Sequence, residues 1–137
     1  VLWRKLRRLG AVQLVDGLVA LPEDARTKEQ LEWLADEVVE AGGEATLWLA
    51  RAGSARQQRE IARRIADAAA AEYRAVIADA NAAAYNPATA GRSLARLRRE
   101  LRRIGQRDFF PPAERDAAHA AVQRLAEAVA AGERASR

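Results

Sequence analysis

Cysteine is absent from this chain of 137 residues, and so is methionine. Without a thiol there is no disulfide, no thiolate metal site and no cysteine nucleophile. His119 is the single histidine, and its acidic neighbours Glu114, Asp116 and Glu127 form no His-x-x-Glu pattern with it, so a metal or general-base role has no ligand set behind it. Aromatic residues are confined to Trp3, Trp33, Trp48, Tyr73, Tyr85, Phe109 and Phe110. No apolar run approaches the ~18 residues that a membrane span requires. Arg4, Lys5, Arg7 and Arg8 interrupt the apolar residues near the start, which leaves no visible signal peptide and makes a cytoplasmic location the expectation. A glycine-rich phosphate loop and a nucleophile elbow are also missing. Glu32, Asp36, Glu37 and Glu40 lie on one amphipathic stretch and read as a solvated face, not as paired catalytic carboxylates. These absences point to a binding domain and away from an enzyme.

What the chain does contain is alanine, arginine, glutamate and leucine in long runs, which favour helix. The formal net charge is +4, and its distribution is uneven. Residues 1–9 hold four basic groups and no acid, residues 92–107 hold seven arginines against Glu100, and residues 23–44 hold eight acids against Arg26 and Lys28. Such asymmetry suits a polyanionic partner.

Periodicity orders the elements. Leu2, Leu6 and Leu9, with Trp3 beside them, predict a helix over 1–9 that packs by this face, and Gly10 stands at its C-cap. Val12 and Leu14, then Asp16-Gly17, then Leu18, Val19 and Leu21 predict a hairpin that Pro22 stops; one bent strand is the alternative. Leu31, Leu34 and Val38 mark a helix over 25–41 that Gly42-Gly43 ends. Alternation over 44–50, with Ala45, Leu47 and Leu49 on one side, predicts a strand with a buried face. Ser54 with Gln57 fits a capping box at the start of a long helix reaching residue 84. Asn86-Pro87 and Gly91 are expected to form a loop; Leu94, Leu97, Leu101 and Ile104 then mark a helix closed by Gly105. Asp108-Phe109-Phe110-Pro111-Pro112 reads as a rigid connector, and Ala118, Val122, Leu125 and Val129 line a last helix closed by Gly132, with a frayed tail beyond.

The fold class expected is α+β and mostly helical. The order αββαβ matches a ferredoxin-like antiparallel sheet lacking its first strand, followed by three helices. The organisation expected is a truncated ferredoxin-like unit over 1–53 and a helical extension over 54–137 packed as part of the same domain. Without a first strand the segment 44–50 has no hydrogen-bonding partner and sheet edges lie open. The chain is therefore expected to be an N-terminally truncated fragment, or to receive that strand from a partner; the open edges also suit a homodimer.

Trp3-Arg4-Lys5-Leu6-Arg7-Arg8-Leu9-Gly10-Ala11-Val12, followed by Asp16-Gly17 and Leu21-Pro22, resembles the opening of ChrB-type chromate-resistance proteins. The resemblance continues through Leu31-Glu32-Trp33-Leu34, Ala41-Gly42-Gly43-Glu44-Ala45, Tyr73 and Asp108-Phe109-Phe110-Pro111. The first block is also similar to the ferredoxin-like domain of PaaX-type repressors and of small CRISPR-associated nucleases; the late Asp-Phe-Phe-Pro motif favours the ChrB type. The resemblance implies a part in the transcriptional regulation of a chromate-efflux operon, with chromate as the signal, and assigns no sensing residue.

Two basic helices are the candidate contact surfaces for DNA or an oxyanion. On the first, Arg4, Lys5, Arg7 and Arg8 either contact phosphates or form the solvated side of a helix packed on the sheet, with Trp3 as core. On the second, Arg92, Arg96, Arg99 and Arg103 form one stripe and Arg98 and Arg102 another. With Glu100 the one acid in reach along the sequence, these arginines meet solvent, the acidic stretch 25–41, DNA or an oxyanion such as chromate, which guanidinium groups bind through forked hydrogen bonds. Gly10, Asp16, Gly17, Pro22, Asp108, Phe109, Phe110 and Pro111 read as structural, the two phenylalanines plugging a gap between helices and Asp108 bonding nearby backbone. No cofactor is expected.

Overall fold

The computed structural model describes residues 1–137. Its elements run α1 (Leu2–Leu9), β1 (Val12–Val15), β2 (Leu18–Ala20), α2 (Ala25–Glu40), α3 (Ala55–Ala83), α4 (Pro87–Gln106) and α5 (Glu114–Ala135). This is a mostly helical α+β chain with one two-stranded antiparallel sheet. No helix is long and apolar enough to cross a membrane. The chain divides into two compact units, Val1–Ile65 and Ala66–Arg137, and the division falls inside α3; the sequence places a boundary ahead of that helix.

In the first unit, Gly10 adopts φ 94 and closes α1. Its amide donates to the Arg7 carbonyl at 3.0 Å and that of Ala11 to the Leu6 carbonyl at 3.1 Å, the glycine-dependent ending that the sequence predicts. The hairpin forms as expected, with Gly17 at φ 81 in the turn. Val12 pairs with Ala20, Gln13 with Val19 and Val15 with Leu18, leaving a bulge between Gln13 and Val15. The Asp24 carboxylate caps α2 by accepting from the Thr27 amide at 2.8 Å, while the Thr27 hydroxyl accepts from the Asp24 amide at 3.1 Å. That hydroxyl also donates to the Pro22 carbonyl at 2.7 Å, so the buried Thr27 is fully used. The backbone donation from Thr27 holds the Asp24 carboxyl below its ordinary value.

Two expectations for this unit fail. Residues 44–50 form no strand, and every one of them is exposed, Trp48 at 77%. The alternation there is real, but a strand is stabilised by a neighbour's hydrogen bonds, and the sheet consists of β1 and β2 alone. Nor is Trp3 core: it is 40% exposed, and no residue of α1 is buried.

In the second unit the helical stripes interlock. Tyr73, Val76, Ala80 and Ala83 of α3, Ala90, Leu94, Leu97, Leu101 and Ile104 of α4, and Ala118, Ala121, Val122 and Leu125 of α5 form one buried cluster. Alanine supplies much of it, which allows close helix approach around a few large side chains. Three local expectations shift. Gly91 lies inside α4, because Pro87 starts the helix with its φ already set and Ala90 extends the buried stripe back by a turn. Gly132 does not close α5, which continues to Ala135; a single glycine costs a helix only about 1 kcal/mol. Phe110 is exposed, so Phe109, half-buried, is left as the plug of the connector.

Candidate functional site

Helix α1 presents Arg4, Arg7 and Arg8 to solvent, and no acid pairs with them. Lys5 behaves differently: its ammonium lies 2.7 Å from Glu37 of α2, an exposed ion pair that ties the two helices. Of the four basic groups expected at a contact surface, three remain available for an outside anion. Arg64 of α3 donates to the Gln13 carbonyl at the hairpin and is likewise committed internally.

Helix α4 sorts its arginines by face. Within the stripe Arg92, Arg96, Arg99 and Arg103, two have acids at hand: Arg96 lies 3.5 Å from Asp79 of α3, and Arg103 lies 3.5 Å from Glu100. Arg92 and Arg99 have none. Arg107, at the C-terminal end, donates to Glu72 of α3 through Nε at 3.0 Å and Nη2 at 2.7 Å, and its side chain is largely buried. Counting acids along the sequence finds Glu100 and overlooks Asp79 and Glu72, which arrive from a neighbouring helix.

Arg98 and Arg102, the second stripe of α4, face α5. Together with Arg115 and His119 of α5 they line a groove of about 510 Å³. Each pair is spaced i,i+4, which stacks its two side chains along one helix face. Leu101, Pro111 and Val122 form the apolar part of the lining, and Tyr73, Asp108 and Gln123 the remaining polar part. The Tyr73 hydroxyl donates to Asp108 Oδ2 at 2.8 Å, in place of the backbone contact expected for Asp108. Asp108 Oδ1 is buried without a donor. Burial of Tyr73 is the first cause that raises its pKa above the ordinary value, and the Asp108 hydrogen bond and charge are the next. Arg74, outside the groove, is paired with Glu114 at 2.8 Å.

The expected site residues thus fall into distinct settings. Arg4, Arg7, Arg8, Arg92 and Arg99 are exposed and unpaired; Lys5, Arg96 and Arg103 are neutralised locally. Gly10, Gly17 and Pro22 shape the first unit, and Asp16 accepts from Gln13 at 3.1 Å. The sequence alone does not group Arg115, His119, Tyr73 and Gln123 with Arg98 and Arg102. The signal for half of the grouping, Arg115 and His119 four apart, is in the sequence, but which helix they face is decided by packing.

Comparison with curated proteins found no match, and neither did comparison with solved structures. Among family models, the one described as protein ChrB, N-terminal, matches residues 1–86, which takes in α1 through α3 and stops before α4, the groove and the Asp108–Pro111 connector. That match spans well over half of the chain, and the chain therefore belongs to the ChrB N-terminal family, a family of chromate-resistance proteins.

Proposed function

We propose that this chain is the N-terminal part of a chromate-responsive transcription regulator, a cytoplasmic DNA-binding module without catalytic activity of its own. The observation that carries this reading is the set of exposed arginines with no acidic partner, Arg4, Arg7 and Arg8 on α1 and Arg92 and Arg99 on α4. Unpaired guanidinium groups on a helix surface are suited to phosphate oxygens, and each phosphate contact releases counterions. Contact with the phosphate backbone is the mode of binding that unpaired guanidinium groups support most directly. The test is fluorescence anisotropy of a labelled promoter fragment from the organism's own chromate-resistance operon, titrated with and without chromate. Promoter-preferring binding that chromate weakens is the expected result. Equal affinity for unrelated DNA, unmoved by chromate, overturns it.

A second reading, self-association, is favoured by the exposed apolar residues Val15 and Leu18 on the hairpin and Leu47, Trp48 and Leu49 beyond it. Light scattering over a range of concentrations separates the two: a monomer throughout removes the second reading and leaves the first intact.

A further inference from the structure

We propose that the groove between α4 and α5 is a binding site for one small tetrahedral dianion, held by Arg98, Arg102 and Arg115. Three features carry the inference. The first is convergence: cationic side chains from two helices that pack on each other line the same concavity, which a merely solvated face would not require. The second is the absence of internal partners. Arg98, Arg102 and Arg115 make no ion pair, so no salt bridge within the chain occupies their guanidinium groups, as it does those of Arg74, Arg96, Arg103 and Arg107. Arg92, Arg99 and Arg124 are unpaired too, but only Arg98, Arg102 and Arg115 line the groove. The third is charge. Three arginines against Asp108 leave a formal lining charge of +2, which one dianion balances. Asp108 does not close the site against anions, because Oδ2 is engaged by Tyr73 and Oδ1 is buried. His119 and Gln123 add polar groups that can bond further oxygens of the ligand.

Guanidinium groups suit this ligand because their paired N–H donors match the oxygens of a tetrahedral anion. The groove takes a free anion and not a DNA strand, since its cations come from two helices and line one concavity. That chromate is the physiological occupant rests on the regulatory reading above; that a dianion binds here does not.

The test is isothermal titration calorimetry of the 137-residue chain with chromate, sulfate and phosphate in turn, at constant ionic strength set with chloride. One-to-one saturable binding is expected for chromate and sulfate. Arg102→Ala and Arg115→Ala should each weaken it at least about tenfold, the effect of removing one charge-assisted hydrogen-bonding group, with folding checked by circular dichroism. Arg102→Lys should recover part of that affinity. Arg124→Ala, an exposed residue of α5 outside the groove, removes the same charge and should leave affinity unchanged. Failure of all three anions to saturate overturns the site even if promoter DNA still binds. An equal weakening in Arg124→Ala overturns it too, as diffuse attraction. Binding that Arg102→Ala and Arg115→Ala weaken supports the site even if DNA affinity never responds to chromate.

Discussion

The two units of this chain treat apolar surface in opposite ways. In Val1–Ile65 the buried apolar residues are only Ala11, Val12, Leu34 and Ile65, while Leu2, Trp3, Val15, Leu18, Trp33, Val39, Leu47, Trp48 and Leu49 are exposed. In Ala66–Arg137 three helices bury a continuous cluster, and only Tyr85 and Phe110 are large exposed hydrophobics. A two-stranded hairpin is marginal by itself, so the first unit is held by local devices, the Gly10 ending, the Asp24–Thr27 box and the Lys5–Glu37 pair. The second is held by packing. The difference teaches where each unit is vulnerable: truncating a side chain is strongly destabilising in the second and mild across most of the first.

The largest expected effect follows from that contrast. Leu97 and Ile104 are fully buried, so Leu97→Ala should destabilise the second unit by about 2–5 kcal/mol. Leu49→Ala, at an exposed position, should stay within about 0.5 kcal/mol. Urea unfolding followed by circular dichroism measures both, and equal destabilisation would break the comparison.

Next comes the polar pair inside the second unit. Tyr73→Phe leaves Asp108 without a donor on either oxygen and should cost about 1–3 kcal/mol. The same residue sets the alkaline behaviour. Because its pKa is raised in the folded chain, the stability it contributes is fully present below the ordinary tyrosine value near 10 and is lost as pH rises toward the folded value. Thermal melts above about pH 10 should therefore fall more steeply for the native chain than for Tyr73→Phe.

A smaller effect sharpens the other side. Thr27→Val removes the hydroxyl shared between Asp24 and Pro22 and should destabilise the first unit by about 1–2 kcal/mol, read as weaker amide protection over α2. Smallest is the acid limb. The Asp24 carboxyl is held below its ordinary value, so the capping contribution is present above about pH 4 and lost as pH falls through the folded value. Asp24→Asn should flatten that limb of the melting curve.

Much of this architecture is readable from residue order. Asp16-Gly17 requires a turn that few other dipeptides make, and the leucine stripe of residues 94–104 repeats at helical period, so the hairpin stands where expected and α4 covers the expected helix, beginning earlier at Pro87. The segment 44–50 misleads because alternation describes which side chains share a face, not whether another strand offers hydrogen bonds. The arginine helix is half legible. Its stripes follow from spacing, but Asp79 and Glu72, which neutralise Arg96 and Arg107, lie on α3 and become neighbours only through the fold. The groove is invisible in the sequence for the same reason: Arg98 and Arg102 on one helix, and Arg115 and His119 on another, become one site only when α4 packs against α5.

The salt dependence of promoter affinity tests the central claim, that the unpaired arginines meet DNA phosphates, most directly. The slope of log K against log salt should be shallower for the triple variant Arg4→Ala, Arg7→Ala, Arg8→Ala than for the native chain, by about 0.9 for each phosphate no longer neutralised. Lys5→Ala, which removes a cation already paired with Glu37, should change the slope little. A slope that the triple variant leaves unchanged would contradict the account.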